Sequence, residues 1–222
     1  MRIRRKKHLE ERLRGVNDYL ITPDRELVNV NIAIENKKYI DFAKIFGNNN
    51  PVELEIGCGK GGFICQKAIL NPNINYIAVE LLQNIIVMAC ETAKNNGLKN
   101  VIFLNSGAEY LPRYIPNNSI QNIYLNFSPP YPQNSYENRR LTCDRHIKNY
   151  SAFLTRCGAI YQKTDDIGLF EYSFNKFLEH GFNVTNLKNE LESQNIPNVC
   201  TEYENKFRAL GLPIYVLKAV KN

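Results

Sequence analysis

From Pro51 onward the chain alternates short apolar runs with longer stretches that repeat apolar residues at helical spacing. VELEI (52–56), NYIAVE (75–80), VIFLN (101–105) and NIYLNF (122–127) read as strands, followed by AIYQKT (159–164) and IYVLKA (214–219). Residues 62–70, 82–96, 144–156 and 167–180 read as helices, and Asn71-Pro72 and Asn96-Gly97 punctuate two of their ends. This alternation predicts an α/β fold, a doubly wound parallel sheet with helices on both faces. Residues 1–50 lack the pattern and are expected to form a basic N-terminal arm and lead-in segment, with 15–50 wrapping the outside of the sheet. The main domain is expected at 51–222.

Composition adds few constraints. The 222 residues are 44% hydrophobic and 23% charged, ordinary for a globular chain. No apolar run approaches the roughly 18–20 residues that span a bilayer. The charged N-terminus lacks a signal peptide's apolar core, so a cytoplasmic home is expected. Six cysteines (Cys58, Cys65, Cys90, Cys143, Cys157, Cys200) and three histidines (His8, His146, His180) are dispersed, without metal-site spacing. No metal is expected, and the cysteines read as reduced and structural. His146 is expected at the surface of its helix.

Charge is more telling. Of a net +6, the first fourteen residues hold +5, from seven Lys/Arg against two Glu. A basic arm on a near-neutral body suits phosphate, and so nucleic acid. A solvated, frayed terminus is the alternative.

The first strand runs into Glu55-Ile56-Gly57-Cys58-Gly59-Lys60-Gly61-Gly62. Glycines here permit positive φ and remove Cβ atoms, so the backbone can close on a ligand across the strand's carboxyl end. The spacing G-x-G-x-G departs from G-x-G-x-x-G, whose helix N-terminus faces a pyrophosphate. Glu55 suits a cationic ligand, and Glu80, closing the second strand, can accept both hydroxyls of a ribose. Together they point to S-adenosylmethionine, which offers a ribose, an amino-acid tail and a sulfonium but no phosphate. An ordinary Gly-rich turn is the alternative. After the third strand, Ser106 stands where an adenine-side group is expected, and a plain turn explains it as well.

The fourth strand ends in NFSPPYP (126–132), a rigid corner that continues as QNSYENRRLT. With this segment, LEIGCGKGGFICQKAILNPNINYIAVE, KTDDIGLFEYS, TEYENKF and the basic MRIRRKK start, the chain resembles the bacterial tRNA (guanine-N7-)-methyltransferases over nearly its whole length. The resemblance implies a Rossmann-like class I methyltransferase fold with a mostly parallel seven-stranded sheet and an antiparallel last strand. It implies methyl transfer from S-adenosylmethionine to a guanosine in the variable loop of tRNA. Glu55, Gly57, Gly59, Gly61 and Glu80 match the cofactor contacts, with Ser106 near the adenine and Asn126 closing the fourth strand. Ser128, Pro129 and Tyr131 fall at the methyl-transfer corner. Gln133, Asp165, Thr201, Glu202, Tyr203 and Glu204 fall among the guanosine-binding elements. Arg139 and Arg140, with Arg4, Arg5, Lys6 and Lys7 of the arm, are implied as RNA contacts.

The departures from the family pattern N-F-x-D-P-W-P-K-x-R-H-x-K-R-R-L gather in that corner. Pro129 takes the acid's place, Tyr131 the Trp's, Gln133 the first Lys's, Ser135-Tyr136 that of Arg-His and Asn138 that of the second Lys. Loss of one such electrostatic group is expected to cost on the order of 10²–10³ in rate. Two alternatives stay open. SPPY is similar to the corner of methyltransferases that act on exocyclic amines of flipped bases. A tRNA-binding relative without catalysis is the other.

Overall fold

A computed structural model describes residues 7–23, 29–187 and 199–222, and the chain divides into two units, Met1–Tyr114 and Ile115–Asn222. In the first unit four parallel strands stand in the order β1 (Leu20–Ile21), β4 (Val101–Leu104), β3 (Asn75–Val79), β2 (Val52–Ile56). β2, β3 and β4 are buried along their whole length, as parallel strands covered on both faces are. Helix α4 (Gly62–Leu70) follows β2 and α5 (Gln83–Asn95) follows β3, the crossovers that parallel strands require.

The lead-in segment is packed, not loose. Leu20 and Ile21 pair with Phe103 and Leu104 at the sheet's edge. Ahead of them, α1 (Leu9–Arg14) buries Leu9 and docks on α5. The Arg12 guanidinium makes a two-pronged ion pair with Glu91 (2.6 and 2.7 Å), and Lys94 donates to the Gly15 carbonyl at 2.7 Å. Each partner holds the other charged: the bond to Glu91 raises the Arg12 pKa, and the bond to Arg12 lowers that of Glu91. Helices α2 (Val30–Glu35), α3 (Phe42–Phe46) and α6 (Leu111–Tyr114) also belong to this unit. Buried Arg113 of α6 donates to the Ala33 carbonyl of α2 at 3.0 Å.

In the second unit the order is β5 (Ile120–Asn126), β6 (Leu154–Thr164), β8 (Tyr215–Val220), β7 (Asn183–Asn186). β5 and β6 are parallel; β8 runs antiparallel to both its neighbours, as the resemblance implied. Eight strands stand among the described residues where seven were expected, and two-residue β1 is too short to show a pattern. Helices α7 (Asp144–Phe153), α8 (Ile167–Glu179) and α9 (Glu202–Ala209) connect these strands. β6 begins at Leu154, earlier than expected, because its pairing with β5 shifts register between Ile120 and Asn122. Gly158 permits that shift: a Cβ there would lie 2.9 Å from the Gln121 carbonyl oxygen.

His146 is a correction. It is 3% exposed, not a surface group, because His146, Ile147, Tyr150 and Phe153 form the buried face of α7. Its ring stacks on Tyr150, and burial lowers its pKa to about 4. Cys58, Cys65, Cys90 and Cys143 are buried free thiols; burial pushes Cys65 and Cys90 up to about 12, which makes them poor nucleophiles. Among the described residues, no helix is long and apolar enough to cross a membrane and no His/Cys/Asp/Glu group could hold a metal.

Candidate active site

In the first unit the glycine turn is built as its sequence requires. Gly57, Gly59 and Gly61 have φ of 82°, 56° and 79°, where side-chain-bearing residues are strained. The amides of Gly57 and Cys58 both donate to the Val79 carbonyl (2.8 and 3.0 Å), binding the turn to the end of β3. The glycines differ in what surrounds them. A Cβ on Gly61 would stand 2.7 Å from the Ala89 Cβ, so this glycine lets the turn touch α5. Among the described residues, no atom beyond the adjoining residues lies within 4 Å of a Cβ built on Gly57 or Gly59, so their backbone faces open space. That is the surface a ligand needs.

Glu80 lies against this surface. One carboxylate oxygen accepts from the Gly59 amide (3.3 Å) and the other from the Leu82 amide (2.9 Å). Both oxygens keep further acceptor capacity. Glu55 is 2% exposed, and the Cys58 thiol between them feels both carboxylates, which add to the upward push of its burial. The sequence-predicted acids and glycines therefore meet at one turn.

Beyond them a cavity of about 320 Å³ is lined by Leu81, Asn105, Ser106, Gly107, Glu109, Tyr110 and Arg113, with Pro23, Ala33 and Tyr114. Ser106 is buried there, and its hydroxyl donates to the neighbouring Gly107 carbonyl at 3.2 Å. Asn105, which the sequence reading did not single out, donates to the carbonyls of Glu80 and Leu81 (2.9 Å each) and fixes the exit of β3. Glu109 was also missed. Its carboxylate packs so closely on Gly107 that a Cβ there would meet it at 2.6 Å. An acid three residues past the anticipated Ser106 was the available signal.

In the second unit the NFSPPYP corner is strained at both ends. Phe127 (φ 50°) and Tyr131 (φ 44°) bracket Ser128-Pro129-Pro130 in the left-handed region, at a cost of about 1–2 kcal/mol each. Ser128 and Tyr131 are half-buried, whereas Pro129 and Gln133 are exposed. The Phe127 amide donates to the Lys163 carbonyl at 2.8 Å, and the register pairs Asn126 with Lys163. Exposed Asp165 thus leaves β6 beside Phe127-Ser128. Its neighbour Asp166 caps α8, accepting from the Leu169 amide at 2.7 Å.

The TEYE segment comes to the same corner. Tyr203, 50% exposed, packs its ring on Phe127 at 5.3 Å and stacks on Phe207 at 4.9 Å. Thr201 caps α9, its hydroxyl oxygen accepting from the Glu204 amide at 2.9 Å. Glu204 is fully buried: one carboxylate oxygen takes Lys163 Nζ at 2.8 Å and the other Arg208 at 2.9 Å. It is a structural group rather than an open acceptor. T-x-x-E is a capping-box spacing, yet only the threonine half forms because the carboxylate turns inward. Glu202 opens α9, and its side chain lies outside the described residues, as do Arg4, Arg5 and Lys6. Lys7 is exposed. The paired arginines part company: Arg139 is exposed on the Tyr136 ring (4.5 Å), while Arg140 turns inward to the Pro130 and Tyr131 carbonyls.

Known proteins resemble this chain in sequence and in fold. Residues 49–217 match a family described as "Putative methyltransferase". A tRNA (guanine-N(7)-)-methyltransferase of Bacillus velezensis is 45% identical over 84% of this chain and 88% of that protein. One from Streptococcus uberis is 35% identical over 99% of both. Among solved structures, the 16S rRNA methyltransferase KamB is similar in fold (TM-score 0.60, 13% identity, covering 84% of this chain and 95% of that one). An antibiotic-related methyltransferase is likewise similar (TM-score 0.57, 19% identity, 84% and 98%).

Proposed function

The chain belongs to the tRNA (guanine-N7-)-methyltransferase family, and on that premise we propose which of its residues hold the methyl donor and which receive the guanosine. It transfers a methyl group from S-adenosylmethionine to N7 of a guanosine in tRNA. We assign that guanosine to the variable loop and the protein to the cytoplasm, where tRNA is processed.

The first unit suits the donor. When bound, S-adenosylmethionine supplies an electrophilic methyl group on a sulfonium. The open backbone of Gly57 and Gly59 admits the ligand, Glu80 takes the ribose hydroxyls, and Glu55 favours the cationic end. The cavity past Ser106 has the polarity for an adenine, with Glu109 as an acceptor for its amino group.

The second unit suits the base. Guanine N7 carries a free lone pair and no proton, so no general base is required and orientation is the protein's main task. Tyr203, backed by Phe127 and Phe207, offers a ring face to a flat base. Asp165 is an exposed carboxylate beside the corner, able to accept the N1–H and amino protons that distinguish guanine from adenine. It also offsets the positive charge that grows on the ring, a task left open where Pro129 replaces an acid. Thr201 and Glu204 act behind it by holding α9. Arg139, Lys7 and the arm residues Arg4, Arg5 and Lys6 serve phosphate. Residues 1–50 act as lead-in to the 51–222 domain.

The observation that carries the substrate reading is the contact of Phe127 with Tyr203, which joins the corner to the TEYE helix within one unit. The test is incubation of unmodified tRNA with labelled S-adenosylmethionine, followed by digestion to nucleosides. Label in 7-methylguanosine supports the reading. Label on an exocyclic amine supports the SPPY alternative, and binding without label a non-catalytic relative.

A further inference from the structure

We propose that Arg140 is a positioning residue that holds the methyl-acceptor corner in shape, and not a phosphate contact. The inference rests on the reading that this corner receives the guanosine.

The two adjacent arginines meet different surroundings. Arg139 is exposed. Arg140 is half-buried, and its Nε donates to the carbonyls of Pro130 and Tyr131 (3.2 Å each), while Nη2 donates to Tyr131 again at 3.0 Å. Its guanidinium plane lies 4.3 Å from the centre of the Tyr172 ring. Tyr172 is fixed in turn, its hydroxyl donating to Glu137 Oε1 at 2.9 Å. Corner, following turn and α8 are thus joined through one planar cation.

The placement has a physical purpose. Tyr131 sits at φ 44°, a conformation an aromatic residue keeps only when its neighbours over-determine it. The fork of Arg140 grips the Pro130 and Tyr131 carbonyls, one on each side of the Tyr131 N–Cα bond, which opposes relaxation to negative φ. A lysine is a point charge without a planar face, so it cannot bridge two carbonyls and lie on a ring at once. α8 starts directly after Asp165-Asp166, so the clamp also sets the corner against the strand end that carries Asp165. Tyr172 is the anvil of the clamp.

Three variants test this: Arg140→Lys, Tyr172→Phe and, for contrast, Arg139→Ala. Arg140→Lys is expected to lower kcat on the order of 10²-fold, the cost of a misplaced acceptor, with KM for tRNA and its salt dependence unchanged. Arg139→Ala is expected to raise KM for tRNA and to flatten the log–log salt slope by about one. If Arg140→Lys keeps the wild-type kcat, as a phosphate contact that needs only a cation would allow, the proposal is overturned. A wild-type protein that puts no methyl on N7 defeats the functional reading alone, and the clamp is then read by proteolysis. Arg140→Lys should speed chymotryptic cleavage after Tyr136 by about tenfold at an unchanged melting temperature. Cleavage at the wild-type rate overturns the proposal. Should Arg140→Lys fail to fold, Tyr172→Phe takes both readouts, since it keeps the ring and loses the anchor to Glu137.

Discussion

Lys163→Met is the sharpest probe of the second unit. Lys163 Nζ lies 2.8 Å from Glu204 Oε2 and 3.1 Å from the Val199 carbonyl, and the Glu204 side chain is 1% exposed. Removing one member of a buried pair costs about 3–5 kcal/mol, because the other charge stays desolvated. Arg208 keeps the second Glu204 oxygen, yet is itself 47% exposed and screened, so the expected loss is at the lower end, about 3 kcal/mol. The assay is urea unfolding followed by far-UV circular dichroism, for wild type and variant in parallel. Its pH dependence carries the diagnosis. In the variant, burial without Lys163 raises the Glu204 pKa above its unfolded value, so the folded state binds the extra proton. Stability then falls as pH rises, and the variant's deficit narrows on acidification, by at most about 1.4 kcal/mol per pH unit. Lys163→Met/Glu204→Leu, which removes both charges, should recover most of the loss. A deficit below about 1 kcal/mol that is flat between about pH 8 and pH 5 would refute the reasoning.

Two more predictions follow from the same structure. His146 is held neutral with a pKa of about 4 against an ordinary 6.5, so the unfolded chain binds the extra proton between these values; acidification through that window should remove about 3 kcal/mol, and His146→Phe should flatten the loss in urea midpoints. Gly61→Ala forces a Cβ to 2.7 Å from Ala89 and should lower the melting temperature, whereas Gly57→Ala meets open space, costs about 1–2 kcal/mol of backbone strain and should cost cofactor affinity by calorimetry. Equal melting temperatures for the two glycine variants would refute the distinction.

Much of the site was legible because its signals are local. Positive φ at Gly57, Gly59 and Gly61 is a property of the turn itself, and an acid at the end of a neighbouring strand follows from parallel register. The corner announced itself through two prolines. His146 is one polar letter on an otherwise apolar helix face, and only the whole face, with Ile147, Tyr150 and Phe153, shows which side is inward. β1 has only two residues, and β7 carries a single apolar residue, Val184, among Asn183, Thr185 and Asn186, so neither presents an apolar run.

The destination of charge was another matter. The sequence alone determined the α/β order, the glycine turn and the family, since periodicity, positive φ and motif spacing act within a few residues. Tertiary structure decided that Arg140 faces a carbonyl pair while Arg139 faces water, and that Glu204 is sealed against Lys163, a residue 41 positions away. A side chain's formula does not say whether its charge will meet solvent or a partner. That depends on which distant segment arrives to replace its hydration, and only the packed chain supplies the answer.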